Sequence, residues 1–217
     1  MFYGDYRRRL ELLKTILELV PKESTVLDAG GAPGFTSLAL KLYGYDVYCV
    51  DINPEPYRHI LENSGIKVLK VDLEHEKIPL SDCSINCVVF TEVLEHLHYY
   101  YLSWALSEIN RVLTKNGLLF LTTPNIASIG KRIKLFLGKQ PLGNFHVREY
   151  SMQEIIKMLR EHGFSIIRRW FFYAYNLTPH DANGKEYKDN LIKVALKHPT
   201  LGNIFHVISL PIIPAIP

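Results

Sequence analysis

Apolar positions near the start of the chain recur at the three- and four-residue spacing of an amphipathic helix. The stretch from Asp5 to Val20 carries leucine, isoleucine and valine on one side and charged residues on the other, and Pro21 follows it. Proline lacks the N–H group that a helix interior requires. The pattern therefore predicts an N-terminal helix over residues 1–20.

Beyond residue 24 the chain alternates between short β-branched runs and longer stretches with helical periodicity. The predicted strands are STVLDA, DVYCVD, KVLKVD, INCVVFT, GLLFLTT and FSIIRRWFFY, and the predicted helices lie near 35–43, 55–63, 100–113 and 151–162. Alternation of this kind is typical of parallel strands joined by right-handed crossovers, with helices on both faces of the sheet. We predict a doubly wound α/β core over residues 24–173.

Two segments depart from the alternation. Residues 124–150 are too long for a plain connection, and we expect them to form a helical lid near the functional site. After Tyr173 the pattern fades into a polar loop, the run LIKVALK and an apolar tail without a clean strand. We treat 174–217 as a C-terminal extension of a single domain, 1–217, in which either LIKVALK completes the sheet or the tail packs on a partner.

Composition fits one globular domain. Of the 217 residues, 47% are apolar and 22% charged, and the net charge of +3 gives no argument for a nucleic-acid or membrane partner. The odd set of cysteines, Cys49, Cys83 and Cys87, indicates free thiols in a reducing compartment and hence a cytoplasmic location. No uncharged apolar stretch reaches the length of a transmembrane helix.

A glycine-rich turn joins the first predicted strand to a helix. Gly30, Ala32 and Gly34 let the backbone turn sharply and approach a ligand, while the helix N-terminus supplies free N–H donors. The sixth position of the motif is Phe35, so the third glycine of a dinucleotide-binding turn is missing. Asp28, just before the turn, either braces it or contacts the ligand directly.

Acidic residues end the first three predicted strands. Asp51 can accept hydrogen bonds from both hydroxyls of a ribose. Asp72 offers an acceptor for an exocyclic amine, beside the apolar Leu73 for a purine face. Together with Asp28, these acids suit a cationic nucleoside without a phosphate.

These motifs resemble those of the class I S-adenosylmethionine-dependent methyltransferases, and in particular small-molecule O-methyltransferases of the ubiquinone-biosynthesis type. The matching pieces are VLDAGGAPG, CVDINP, KVDLE, INCVVFTEVLEHL and INRVLTKNGLLFLTTPN. The resemblance implies a seven-stranded, mostly parallel Rossmann-like sheet with S-adenosylmethionine at the carboxyl ends of strands one to four. It also implies cofactor contacts from Asp28, Gly30, Gly34, Asp51, Ile52, Asp72, Leu73 and Thr91.

The segment TEVLEHLH carries the candidate chemistry. Helical spacing would place Glu92, Glu95 and His96 within one arc. The resemblance puts Glu92 near the transferred methyl group. In small-RNA terminal 2′-O-methyltransferases, a similar E-x-x-E-H segment and a later histidine bind a divalent cation, which here implies His146 as the fourth ligand of a magnesium or manganese ion. A metal-free acid/base site and a purely structural cluster stay open.

Basic residues mark two further segments. In the lid, four cations interleave with apolar residues, which is consistent with a gate for an anionic or lipid-linked substrate or with a solvated helix face. The lid cations are Lys131, Arg132, Lys134 and Lys139.

In the N-terminal helix, we interpret Arg7, Arg8 and Arg9 as an exposed face.

The sequence therefore predicts an S-adenosylmethionine-dependent enzyme that methylates oxygen on a small molecule. The catalytic set is Glu92, Glu95, His96 and His146. The alternatives are metal-dependent 2′-O-methylation of an RNA terminal ribose, and a cofactor-binding protein without catalysis.

Overall fold

The computed structural model describes residues 3–172 and 204–211, and its elements follow the predicted alternation. The helices are α1 (Tyr3–Leu19), α2 (Phe35–Leu42), α3 (Glu55–Asn63), α4 (Leu102–Val112), α5 (Ile129–Phe136) and α6 (Met152–Glu161). The strands are β1 (Thr25–Ala29), β2 (Asp46–Asp51), β3 (Lys67–Lys70), β4 (Ile85–Thr91), β5 (Leu113–Pro124), β6 (Phe164–Phe172) and β7 (Ile204–Pro211).

The seven strands form one sheet in the order β3-β2-β1-β4-β5-β7-β6. Strands β1 to β5 are parallel to one another. Strand β7 lies between β5 and β6 and is antiparallel to both. The predicted doubly wound, mostly parallel fold is confirmed. The strand order reverses between β1 and β4, and ligands of such sheets bind beyond the carboxyl ends of the strands at this switch point.

Successive strand residues point to opposite faces of the sheet and build two apolar layers. Leu27, Val88 and Leu119 belong to a layer covered by α4 and α6. Their neighbours Val26, Cys87 and Phe120 belong to the layer covered by α1, α2 and α3. Burial on both faces explains why the strands read as continuous apolar runs.

The C-terminal tail supplies a strand, which corrects the expectation that it contains none. Ile204–Pro211 pairs with β5 from Leu119 to Pro124 and with β6 along its length. This part of the tail is therefore paired within the chain, and a partner for the tail stays a prediction. The run LIKVALK lies outside the described residues.

The lid, residues 124–150, contains a helix as expected, α5. Its two ends are joined because Asn125 and Tyr150 form a β-bridge and the Ile126 N–H donates to the Tyr150 carbonyl at 3.1 Å. Near its second end, the N–H groups of Val147 and Arg148 donate to the Glu95 carbonyl at 2.8 and 3.2 Å. The lid is thus fixed over the carboxyl end of β4.

Candidate functional site

The turn between β1 and α2 needs glycine for both conformation and space. Gly30 and Gly34 have φ angles of 73° and 97°, which strain any residue with a Cβ. A Cβ on Gly30 would lie 2.3 Å from Val93 Cγ2, and one on Gly34 would lie 2.3 Å from Leu61 Cδ2. Gly30 lines the cavities described below, whereas Gly34 packs against α3 and lines neither of them.

Asp28 braces this turn, one of the two roles expected for it. The buried carboxylate accepts a hydrogen bond of 2.6 Å from Ser37 Oγ on α2. Burial raises the pKa of Asp28 to about 6, and the Ser37 hydrogen bonds offset part of that rise. Asp28 also lines a cavity, so the second role, direct contact with a ligand, stays a prediction.

A first cavity of about 400 Å³ runs along the carboxyl ends of β1, β2 and β3, within the size range of small-molecule sites. Of the residues expected to hold the nucleoside, it brings together Gly30, Asp51, Ile52, Asp72 and Leu73. We call it the nucleoside cavity. Ile52 is largely exposed and Leu73 is buried, so both offer apolar surface to a flat ring.

Backbone N–H groups help to hold Asp51 and Asp72 in place in the nucleoside cavity. Asp51 accepts hydrogen bonds from the N–H groups of Ala32 at 3.1 Å and Asn53 at 2.9 Å. Asp72 accepts from the Glu74 N–H at 2.9 Å and lies 2.8 Å from His75 Nδ1. Partial burial acts to raise the pKa of Asp72, but these hydrogen bonds hold it below its ordinary value. Each carboxylate oxygen retains a second lone pair for a ligand.

A second cavity of about 270 Å³ adjoins the first and shares Gly30, Ala32, Glu92 and His96 with it. Apart from Gly34, it contains the remaining residues of the expected site, namely Asp28, Thr91, Glu95 and His146, and we call it the reaction cavity. The two cavities together can hold an elongated ligand whose far end reaches the candidate catalytic residues.

The segment after β4 does not form the single helix assumed in the sequence argument. Glu92 has a φ of 56° and precedes a 3₁₀ turn, Leu94–His96, and a second 3₁₀ turn follows at Tyr99–Tyr101. The one-arc geometry is therefore wrong in detail. The tighter turns still leave Glu92, Glu95 and His96 lining the same cavity.

Glu92 is bound by α1 and β5. Its carboxylate lies 2.6 Å from Arg8 Nη1 and accepts a hydrogen bond of 2.9 Å from Thr122 Oγ1. The Arg8 side chain is only 12% exposed, and Arg9 lies 5.0 Å from the Phe35 ring centroid. The interpretation of these arginines as an exposed helix face is wrong for Arg8 and Arg9, because both side chains line the reaction cavity.

Glu95 is the most deeply buried acid of the site, at 1% exposure. Burial raises its pKa to about 8, and the charge of Glu92 adds to the rise. The carboxyl group accepts a hydrogen bond of 2.9 Å from Thr123 Oγ1. Glu95 is therefore largely protonated at neutral pH unless a cation binds beside it.

His96 and His146 meet although fifty residues separate them in the chain. Their ring centroids are 5.0 Å apart with the rings nearly perpendicular. His96 Nδ1 lies 3.1 Å from the Phe145 carbonyl, and His146 Nδ1 lies 2.7 Å from Glu149 Oε1. Both partners are acceptors, so each Nδ1 carries the proton and each Nε2 is left as an acceptor or ligand.

Two residues absent from the sequence prediction complete this arrangement. Glu149, whose side chain is fully buried, orients His146 and forms an ion pair with Lys131 of α5. Burial lowers the pKa of Lys131 to about 8, and burial together with His96 and Lys131 lowers the pKa of His146. His146 is accordingly neutral at pH 7. A carboxylate three residues after a candidate histidine was the available signal for Glu149.

Three of the four expected metal ligands come together. One ligand atom each from Glu95, His96 and His146 lies within 4.8 Å of the others, while Glu92 is not part of this group. Two imidazoles whose Nδ1 atoms are held by acceptors, together with one carboxylate, form a donor set that fits a divalent cation. Without a metal, an imidazole of this group can serve as the proton acceptor.

Comparison with known proteins assigns the family. The family model described as a methyltransferase domain matches residues 3–169, and the chain belongs to this family. The resemblance to class I S-adenosylmethionine-dependent methyltransferases is thereby confirmed.

Sequence relatives are found in mycobacteria. A Mycobacterium tuberculosis protein that carries the name of an S-adenosylmethionine-dependent methyltransferase is 30% identical over 141 residues, covering 64% of this chain and 48% of the relative. A similarly named Mycolicibacterium smegmatis protein is 30% identical over 145 residues, covering 65% and 52%. The chain thus spans about half the length of the curated relatives it matches.

Solved structures share the fold. An S-adenosylmethionine-dependent methyltransferase from Archaeoglobus fulgidus superposes with a TM-score of 0.66 at 20% identity, covering 93% of this chain and 94% of that one. The 1,6-didemethyltoxoflavin N1-methyltransferase of Burkholderia thailandensis, solved with its substrate and S-adenosylhomocysteine, gives a TM-score of 0.64 at 14% identity, covering 95% and 78%. Within residues 3–172 and 204–211, no helix is both long and apolar enough to cross a membrane.

Proposed function

We propose that this protein binds S-adenosylmethionine and transfers its methyl group to an oxygen atom of a small molecule. The observation that carries the proposal is the pair of connected cavities. Asp51 and Asp72 lie along one cavity and the acceptor nitrogens of His96 and His146 lie in the other. The adenosine would occupy the nucleoside cavity, with its ribose at Asp51 and its adenine at Asp72 and Leu73.

The cofactor supplies a methyl group on a positively charged sulfur. In the proposed displacement, the acceptor oxygen forms a bond to the methyl carbon, the carbon–sulfur electron pair returns to sulfur, and the hydroxyl proton passes to an imidazole Nε2. His146 suits this role because its pKa is lowered and its Nδ1–H is oriented by Glu149. The other requirement is alignment of the two reactants, which the lid and α1 would provide by enclosing the reaction cavity.

Nitrogen acceptors need a separate test, since the Burkholderia neighbour is named for methylation at nitrogen. Cell extract would be incubated with the protein and cofactor labelled in the methyl group, and products identified by mass spectrometry. We expect labelled methyl ethers. Labelled N-methyl products alone would refute the oxygen assignment. Cofactor binding without any labelled product would favour a binding protein without catalysis, and failure to bind the cofactor in calorimetry would refute the proposal as a whole.

A metal-dependent reaction is the second candidate, favoured by the grouping of Glu95, His96 and His146. A divalent ion held there would lower the pKa of a coordinated hydroxyl and orient it, as required for the terminal ribose of an RNA. Metal analysis of protein purified without chelator decides between the two. We expect a Glu95→Ala, His96→Ala variant to lose bound Mg²⁺ or Mn²⁺, and full retention of metal in that variant would exclude this site.

Two further expectations belong to this proposal. An anionic or lipid-linked acceptor would agree with Arg8 and Arg9 at the reaction cavity and with the cations of the lid. A cytoplasmic location would agree with the three cysteines, which are all unpaired.

A further inference from the structure

The helix of the lid, α5, turns its apolar side outward. Ile129, Ile133 and Phe136 are 45%, 53% and 90% exposed, and Leu137 just beyond the helix is 59% exposed. At about 100° per residue these four side chains share one side of the helix, and we call it the outer face of α5. No residue of α5 is buried. A contiguous apolar helix face is unusual on a protein surface and is a mark of an interaction site.

The orientation of α5 is fixed from its other side. Lys131 projects opposite the outer face and forms an ion pair with the buried Glu149, which orients His146. The helix therefore cannot rotate to bury its apolar side chains without breaking the ion pair between Lys131 and the carboxylate that orients His146.

The charges around the outer face have a single sign. From Asn125 to Arg148 inclusive, the sequence contains five lysines and arginines and no aspartate or glutamate. Arg132 and Lys134 flank the outer face, Lys139 follows it, and all three are exposed. None of the three pairs with a carboxylate within residues 3–172.

We propose that the lid docks on the surface of an anionic lipid bilayer through the outer face of α5. A helix that lies in a membrane interface buries apolar side chains at the level of the acyl chains and keeps lysine and arginine at the phosphates. The outer face supplies the first group, and Arg132, Lys134 and Lys139 supply the second. A protein partner would not require the uniform positive charge of this segment.

The docked lid would bring the reaction cavity to the membrane. Phe145 is 92% exposed, and its carbonyl oxygen holds His96. An exposed apolar side chain thus lies beside the candidate catalytic histidines as well as on α5, and it would favour the approach of an acceptor dissolved in the lipid. The docking itself does not depend on the oxygen methylation proposed above, because it is measured without acceptor or cofactor.

The test is co-sedimentation of the full chain with vesicles of phosphatidylcholine alone or mixed with phosphatidylglycerol. We expect binding to the anionic vesicles at least about tenfold stronger than to neutral ones and weakened by added salt. Phe136→Ser and a double Arg132→Glu, Lys134→Glu variant should each lose most of the binding.

Matched control variants separate docking through α5 from nonspecific binding to vesicles. Leu42→Ser removes an equally exposed apolar side chain, 89% exposed at the end of α2, and a double Lys157→Glu, Arg160→Glu variant reverses two exposed cations of α6. Both controls should bind like the unchanged protein, and thermal unfolding checks that every variant is folded. Absence of vesicle binding, equal loss in the controls, or a dimer that Phe136→Ser dissociates would each overturn the proposal.

Discussion

At the scale of single residues, Asp28 links the fold to the protonation state of the site. Its pKa is raised by burial from 3.8 to about 6, so the folded state binds a proton more tightly than the unfolded state. The stability from protonated Asp28 is therefore fully present below the unfolded pKa and is lost as the pH rises through about 6. A pKa shift of this size corresponds to a contribution of about 3 kcal/mol to the free energy of unfolding.

Asp28→Asn should remove this contribution while keeping an oxygen for the Ser37 hydroxyl. We expect the free energy of unfolding of the variant to vary less with pH between about 4 and 7, with the variant gaining on the parent as the pH rises. Denaturant titrations at several pH values measure the difference. Parallel curves for the two proteins would show that Asp28 does not titrate in this window.

Glu149 is the residue that fixes His146 and ties it to α5. Glu149→Ala should lower kcat of methyl transfer by roughly 10–100-fold, the usual cost of losing a group that orients a functional histidine. Glu149→Gln retains an oxygen for His146 Nδ1 and should recover part of the rate. The affinity for S-adenosylmethionine, measured by calorimetry, should stay unchanged in both, because Glu149 lines neither cavity. Equal loss of affinity and rate would indicate a general structural role.

At the scale of elements, the sequence was informative where function depends on residues close together in the chain. The glycine turn, Asp51 and Asp72 could be placed because each follows directly from a strand end. Arg8 and Lys131 could not, because α1 and the lid reach the site only through tertiary packing. The prediction that Glu92, Glu95 and His96 share one helical arc after β4 was wrong, because local spacing does not reveal that Glu92 adopts a positive φ.

Strand β7 was missed for a related reason. The sequence showed no clean strand in the apolar tail, although Pro211 is the final residue of β7 and the other prolines of the tail follow it in the chain. Proline is tolerated at strand ends, where its missing N–H costs little.

The pairing of β7 on both edges predicts where proline would be destructive. Val207 lies opposite Leu121 of β5 and Arg169 of β6. Val207→Pro should destabilise the protein by about 3 kcal/mol, because proline in a central strand removes a ladder hydrogen bond and leaves the carbonyl opposite it without that donor. Val207→Thr, which keeps the N–H and the branched shape, should be much milder in the same denaturant titration. Similar stabilities of the two variants would argue against a central β7.

At the scale of the whole molecule, the described part of the sheet places the candidate site at the carboxyl ends of its parallel strands. Strand β2 shows this within a single element, because Asp46 is its first residue and Asp51 its last. Asp46 forms an exposed ion pair with Lys67 at 2.7 Å, whereas Asp51 lines the nucleoside cavity. The fold class and this polarity were predictable from strand and helix alternation, since parallel strands must bring their carboxyl ends together.

Asp46 and Asp51, at the two ends of β2, form a matched pair for testing the cofactor site by thermal stability. S-adenosylmethionine at a hundredfold excess over its Kd should stabilise the folded protein by about 2.7 kcal/mol, which raises Tm by roughly 5–10 °C. Asp51→Ala should abolish most of this increase because the ribose loses its acceptor. Asp46→Ala should preserve the increase in Tm, since its exposed ion pair contributes about 1 kcal/mol or less and lies at the opposite end of β2.

Each increase in Tm is taken relative to the same variant without ligand, so that any loss of intrinsic stability cancels. A full increase in Asp51→Ala would remove Asp51 from the cofactor site, and an equal loss in Asp46→Ala would show that the effect is not specific to the carboxyl edge.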